Sequence, residues 1–551
     1  MIPFEVYSHY SLQEAFCHLD DLVAKAGELK LPGLILTDHN TLSGSIEFLE
    51  EIDKWNKKND HKIKPGIGLS VDIGSDRLLL IAKNKDGFYD LIKILNTRQI
   101  AESKDLILIL KSMDQYQKYG FGWKGQLFTS FDNNLGLPQL SGDPVFYINP
   151  EDSLYQKIII ASKLETTLNT IYTDIESEDI EYLKFFDDSK SFCLVKDWEK
   201  NNGLLLDHIT VYSLNNKPNI PRLYENPDEK LREECRKGWK RLGLSNLTGS
   251  LKDRYVQQVE EELSVFHDAG ISDYMLIVQD FMNYARNQGS KVGVRGSAGG
   301  SLVGYLLGLS YVDPLTPDPI LGFAEERCLL FSRFINKGRF NKNNTSLPDI
   351  DVDLGIHHRE RLIQYLKTKY GNKRVGHITT FNTMDGKGAI KEVFRILDPV
   401  ANSFAIANEI TKHMVDSSKI QDILEDLKED DPKYNVIQYC IDHIPVIKEY
   451  YNEYKSTFDA AIKMANTIKS KGKHAAGIVI SNYDLDLIAP ISIEDDNYIV
   501  DFEMVSLEKF GLVKYDILGV AAYEKIQKIE EMINKNMLMP IVSDEKVIIN
   551  E

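Results

Sequence analysis

In the stretch Leu347-Pro348-Asp349-Ile350-Asp351-Val352-Asp353-Leu354, acidic and aliphatic residues alternate strictly behind a proline. A period of two is a strand signature, so Asp349, Asp351 and Asp353 are predicted to share one face while Ile350 and Val352 point into a core. Same-face neighbours on a strand stand roughly 6.5 to 7 Å apart, close enough for two carboxylates to hold divalent cations between them. Without cations the carboxylates repel and raise one another's pKa. Mg2+ removes that conflict and creates a site for two-metal phosphoryl chemistry. The alternative is an edge strand whose solvent face happens to be acidic.

A second candidate is Val292-Gly293-Val294-Arg295-Gly296-Ser297-Ala298-Gly299-Gly300-Ser301-Leu302-Val303-Gly304-Tyr305. Small residues let a backbone approach a ligand closely. A helix starting near Ser297 would point free N–H groups and its positive dipole end at whatever binds, an arrangement that suits a triphosphate. A tight helix-packing turn explains the same composition. No G-K-[ST] follows, so this is not a Walker A loop.

A chain of 551 residues is too long for one core and predicts two to four domains. With 43% hydrophobic and 27% charged residues, its composition is that of an ordinary soluble protein. No apolar run reaches transmembrane length, the N-terminus lacks the segments of a signal peptide, and the five cysteines show no C-x-x-C spacing. These features predict a cytoplasmic protein without a zinc site. A net charge of -18 argues against nonspecific coating of nucleic acid. Local basic surfaces are still predicted around Arg333, Lys337, Arg339 and Lys342; Lys367, Lys369, Lys373 and Arg374; Lys387, Lys391 and Arg395; and Lys469, Lys471 and Lys473.

The elements that must position these residues begin with alternating α and β segments. Residues 12 to 30 read as an amphipathic helix ended by Pro32-Gly33, and Leu34-Ile35-Leu36 reads as a buried strand delivering Thr37-Asp38-His39-Asn40 at its carboxyl end. A helix from Ile46 to Trp55, a strand through Ile67 and a strand Leu78 to Ala82 follow, which predicts an α/β layer or barrel. Asn149-Pro150-Glu151-Asp152 reads as a helix start, and Asn215 to Asp228 as an irregular connection. Beyond it lie helical patterns at 228–242, at 252–268 and through Phe281, Tyr284 and Ala285, and again between 400 and 465, at Ile420 to Leu427 and Val436 to Tyr450.

The order of the first pieces resembles the PHP domain (polymerase and histidinol phosphatase), a barrel whose strand ends can carry a trinuclear metal site. Here the family's paired histidines fall at Glu5 and Tyr7, with His9 displaced. Its glutamate falls at Ser70 and a later histidine near Arg77. Asp38 and His39 remain, and two ligands do not assemble a three-metal centre. The resemblance therefore implies a structural barrel with a degenerate site rather than a PHP-type phosphoesterase.

A Gly-Ser turn followed by paired aspartates on a strand is the layout of a polymerase-beta-like nucleotidyltransferase palm. The match extends through Asp273-Tyr274-Met275-Leu276-Ile277-Val278, Arg295 to Val303, Asp313-Pro314-Leu315, Phe331 to Asn336, Pro348 to Asp353, His377 to Met384, Lys473 to Ser481 and Phe510 to Gly519. In this order the segments resemble the bacterial replicative DNA polymerase III alpha subunits, the C family of polymerases. The fold implied is multidomain α/β: a PHP-like barrel at 1–225, a palm at 226–400 and 466–551, and a helical thumb inserted at 401–465. The function implied is DNA-directed DNA polymerisation with two Mg2+ ions. Asp349, Asp351 and Asp516 would hold the metals and Asp353 faces the same site. Gly296 and Ser297 would carry the deoxynucleoside triphosphate, and Arg295, Arg333 and Lys514 would meet its phosphates. His474 would shape the palm. Primer-template DNA is the implied partner.

The family's fingers, clamp-binding and oligonucleotide-binding segments follow the position of Asp516, and the chain ends at Glu551. The expectation is a split polymerase completed by a second chain that carries the fingers and the contact to a sliding clamp. A fragment of a longer polymerase, and a noncatalytic scaffold descended from one, are the alternatives. Residues Gly322 to Cys328 read as an insertion that could displace Arg333.

Overall fold

The computed structural model describes residues 2–100, 102–173, 193–194, 200–316, 329–335, 347–397, 403–431 and 433–534. The expected insertion at Gly322 to Cys328, and Lys337, Arg339 and Lys342, lie outside the described residues.

The chain folds as a mixed α/β multidomain protein, with two sheets among the described residues. The first has five strands in the order β1 (Gly33–Leu36), β2 (Lys64–Ile73), β3 (Asp76–Ala82), β4 (Leu106–Leu110) and β5 (Gln126–Thr129). Short parallel bridges from Thr129 to Gln139 and from Val145 to Val6, with the Thr37 N–H donating to the Val6 carbonyl, link its two edges into a barrel-like closure. The uninterrupted apolar run of β4 is wholly buried because both faces of the sheet are covered. Alternate residues serve different cores: Leu78, Leu80, Leu106 and Leu108 join one, and Leu79, Ile81, Ile107 and Ile109 the other. β3 runs antiparallel to both β2 and β4, so the sheet is mixed.

Of the expected helix at 12–30, only Leu19–Glu28 is helical. The preceding residues instead turn back, and Phe16 bridges to Tyr147. The stripe Leu19, Leu22, Val23 and Ala26 is buried as its spacing requires. Residues 209–224 form no helix or strand. Helices Pro227–Arg241, Gly249–Ala269 and Ser272–Asn287 then lead into the second sheet.

That sheet has seven strands: β6 (Val292–Arg295), β7 (Asp351–Leu354), β8 (Val375–Thr383), β9 (Ile468–Ile480), β10 (Ile491–Glu494), β11 (Asn497–Val500) and β12 (Lys514–Gly519). Their spatial order is β10-β11-β8-β9-β12-β7-β6. One face of the central pair, Val352, Leu354, Tyr515 and Ile517, packs with Ile277, Phe281, Leu362 and Ile363 of the covering helices. The other face is acidic.

Between β8 and β9 the chain builds a helical unit from Gly386–Leu397, Ser403–His413, Gln421–Asp430, Val436–His443, Pro445–Glu453 and Lys455–Met464. Its core runs from Met384 to Met464 and takes in Ile158, Ile159 and Leu168 from the first half of the chain. The single pattern expected from Val436 to Tyr450 is two helices, because Pro445 starts a new one at its first position. Among the described residues no helix is long and apolar enough to cross a membrane.

Candidate active site

Strands β7 and β12 run parallel, with Asp351 opposite Asp516 and Asp353 opposite Leu518. Neighbouring strands lie about 4.8 Å apart, so two carboxylates from segments remote in sequence come side by side. On the other flank β6 is antiparallel to β7 and places Arg295 opposite Asp351. The expected face therefore exists, but the strand is shorter than the alternation predicted. β7 starts at Asp351, and Asp349 precedes it with a side chain 68% exposed. β6 reaches only as far as Arg295, and Pro348 has no N–H to pair while its carbonyl accepts from the Tyr274 hydroxyl at 3.0 Å. Tyr274 is itself held by stacking on Tyr515, 5.2 Å between ring centres.

Lys514 ties this face together. Its Nζ stands 2.9 Å from Asp349 Oδ1, 3.1 Å from Asp516 Oδ2 and 3.5 Å from Glu508 Oε1. Burial alone would lower its pKa, but the hydrogen bond it donates to Asp349 and the charges of Asp516 and Asp349 hold it raised. Arg295 Nε pairs with Asp353 Oδ2 at 2.5 Å. Asp351 has neither partner. Its pKa is raised by burial first and then by the charges of Asp516 and Asp349, against the pull of Arg295 and Lys514.

These residues fit a hard divalent cation. Asp353 Oδ1 and Asp516 Oδ1 are buried without a hydrogen-bond partner, an expensive state for a carboxylate unless a cation supplies the missing interaction. Among the described residues no three His, Cys, Asp or Glu side chains are yet gathered as a metal centre would gather them. Here the Lys514 ammonium stands between two of the carboxylates.

The Gly-Ser turn lies at the end of β6. Gly296 has φ +74, a conformation that favours glycine, and residues 296–300 form a 3-10 turn with Gly296 and Ser297 exposed. The helix does not begin at Ser297 but at Leu302, and its first N–H groups are not offered outward. Leu302 and Val303 donate to Glu262, at 2.9 Å each, and Gly304 donates to Ser301 Oγ. Glu262 is fully buried and receives the Ser301 hydroxyl as well. An internal carboxylate thus occupies the dipole end that the glycine pattern assigned to a triphosphate. The turn remains open on its other side, backed by the segment that carries Arg333: a Cβ added at Gly300 would meet the Leu330 carbonyl at 2.9 Å. Arg333 itself is exposed. His474 Nδ1 accepts from the Gly477 N–H at 2.9 Å, a contact that shapes β9.

With this geometry in place, comparison with known proteins is decisive. The bacterial DNA polymerase III alpha NTPase domain family matches residues 229–519, and the PHP domain family matches residues 4–141. The chain belongs to the bacterial DNA polymerase III alpha family. DNA polymerase III subunit alpha of Ureaplasma parvum is 31% identical over 97% of this chain and 52% of its own length. The subunits named alike from Borreliella burgdorferi and Bacillus subtilis are 28% and 27% identical, each over 97% of this chain and 49% of their own. The chain spans about half the length of these relatives.

In the PHP-domain part, the residues at the expected metal positions are bonded to one another. The Tyr7 hydroxyl donates to Glu5 and lies 3.1 Å from the Ser70 hydroxyl, and Lys111 Nζ lies 2.7 Å from Glu5 Oε1. Asp38, buried, accepts from the Ser8 N–H and hydroxyl and from the Ser11 hydroxyl. His39 sits between Glu14 at 2.9 Å and Asp72 at 2.8 Å, while Arg77 reaches Asp72 and Lys163 reaches Glu14.

The basic clusters expected to flank the acidic strand are largely paired as well: Lys369 with Asp280, Lys373 with Asp486, Arg374 with Asp484, Lys387 with Asp416, Arg395 and Lys469 with Glu392, and Lys471 with Asp501. Lys367 lies against Asn497. Sequence reasoning missed Glu508, Glu262 and Tyr274 as supports of the site. For Glu262 a signal existed: it falls on the buried stripe Tyr255, Val259, Leu263 and Phe266, where a carboxylate needs an internal partner.

Proposed function

We propose that this chain carries the catalytic palm of a replicative, DNA-directed DNA polymerase, adding deoxynucleotides to a primer 3'-hydroxyl. The observation that carries the reading is the register of Asp351 against Asp516, with buried carboxylate oxygens unpartnered on that face. Asp349, Asp351 and Asp516 would hold two Mg2+ ions, with Asp353 as a further donor. When bound, Mg2+ favours ionisation of the attacking hydroxyl and balances charge on the phosphates. Gly296 and Ser297 bear the triphosphate on an open turn where backbone approach is unhindered. Arg295, Arg333 and Lys514 supply its positive partners, and base identity is read by pairing with the template.

The proposed division is a PHP-domain unit at 1–225, a palm at 226–400 and 466–551, and a thumb at 401–465 that grips duplex by its backbone. Helix Gly386–Leu397 joins the thumb core. The relatives are about twice this length, and the fingers and the contact to a sliding clamp belong to the portion of them that this sequence does not cover. A cytoplasmic location follows from the substrate.

Primer extension tests this. Mixed with a chain supplying the remaining portion of the relatives, the protein extends a primer only with Mg2+, and Asp351→Asn abolishes extension. Extension that survives Asp351→Asn refutes the assignment.

A further inference from the structure

We propose that Lys514 is a built-in counter-ion that competes with the divalent cation for the palm carboxylates and leaves them when a triphosphate arrives. This rests on the reading of that face as a nucleotidyl-transfer site. The ammonium is wedged between Asp349 Oδ1 and Asp516 Oδ2 at 2.9 and 3.1 Å, with Glu508 Oε1 at 3.5 Å and only 11% of the side chain exposed. It satisfies one oxygen of Asp516 and leaves Oδ1 without a partner. Arg295 does the same at Asp353, whose Oδ1 is likewise bare.

Charge balance gives the pairing its consequence. Asp349, Asp351, Asp353, Asp516 and Glu508 bring five negative charges, and Lys514 and Arg295 return two positive ones. A divalent cation entering alone must therefore either stand beside an ammonium or expel it into solvent without a partner. A triphosphate changes that balance by offering new acceptors within reach. Lysine is suited to the exchange, because its compact charge rides on a flexible four-carbon stem and can move without the backbone. Metal and nucleotide binding are then reciprocally coupled through one side chain. A lysine that only touched phosphate would leave metal binding unchanged when nucleotide is absent.

The test is Mn2+ binding to the full 551-residue chain, followed by electron paramagnetic resonance of the free ion, with and without dATP. Without nucleotide, Lys514→Met is expected to bind Mn2+ about tenfold tighter than the unmodified chain, and dATP tightens its Mn2+ binding less than it does in the unmodified chain. Lys514→Arg, which keeps the charge, stays close to the unmodified protein. Should the Met variant fail to fold, Lys514→Gln retains a donor for the carboxylates and shifts the affinity in the same direction. Equal or weaker Mn2+ binding in the neutral variants overturns the counter-ion role while leaving the metal site standing. Absence of Mn2+ binding in every form overturns both.

Discussion

The mouth of the PHP-domain barrel and the acidic face of the palm sheet both crowd carboxylates together, and they relieve the repulsion in different ways. In the mouth, Glu5, Glu14, Asp38 and Asp72 are each met by a side chain of the same region: Lys111, His39, Lys163, Arg77, Ser8 and Ser11. On the palm face, Lys514 and Arg295 cover part of the charge, while Asp353 Oδ1 and Asp516 Oδ1 stay buried and bare. Acids that are fully met from within serve the fold. Under the proposed function, acids left partly unmet are the ones that receive a cation from outside.

The largest effect that separates the two regions is on catalysis. Asp516→Asn is expected to lower primer extension by about a thousandfold or more while changing the unfolding temperature of the metal-free chain little, since Lys514 keeps Asp349 and Glu508 as partners and Asp351 loses a repulsive neighbour. A matching fall in unfolding temperature would erase the contrast.

Next is stability in the mouth. Glu14→Gln removes one partner of a buried ion-paired group and should cost about 3 kcal/mol, measured by denaturant unfolding, with Mn2+ binding in the palm unchanged. Its pH dependence sharpens this prediction. Burial pushes the Glu14 carboxyl up, but the hydrogen bond and charge of His39, with Lys163 and Arg77, bring it down to about 2 from an ordinary 4.5. A depressed folded-state value contributes stability that is complete above 4.5 and disappears as the pH falls toward 2. An acid titration of the unfolding free energy should therefore decline through that window, and the decline should be shallower in Glu14→Gln. An unchanged slope would show that this network is not what holds the mouth.

The smallest effect is expected at the exposed pairs. Lys373→Met, which breaks the contact with Asp486, should leave the midpoint of denaturant unfolding essentially unchanged. A marked fall would place these surface pairs with the mouth rather than with solvent.

Much of this was legible in the chain itself. Continuous apolar runs such as Leu34 to Leu36 and Leu78 to Ala82 read as buried strands, and the alternation at Ile350 and Val352 correctly gave buried aliphatics behind Asp351 and Asp353. The meeting of Asp516 with Asp351 was not legible in spacing, because strand register between remote segments leaves no local trace. Only the resemblance of the Phe510 to Gly519 motif suggested it. The start of the Gly-Ser helix was misplaced for a related reason: glycine content shows where a backbone can bend, but not that Glu262, some forty residues earlier, has claimed the helix's N–H groups. In the clusters at Lys367 to Arg374, Lys387 to Arg395 and Lys469 to Lys473, most of the charge is met by acids that counting lysines along the chain does not reveal.

The central claim is that a divalent cation belongs to the palm carboxylates and not to the PHP-domain mouth. The most direct measurement is anomalous scattering from crystals soaked in Mn2+. The account predicts a peak beside Asp351 and Asp516 and none among Glu5, Asp38 and His39; a peak in the mouth with the palm face empty would contradict it.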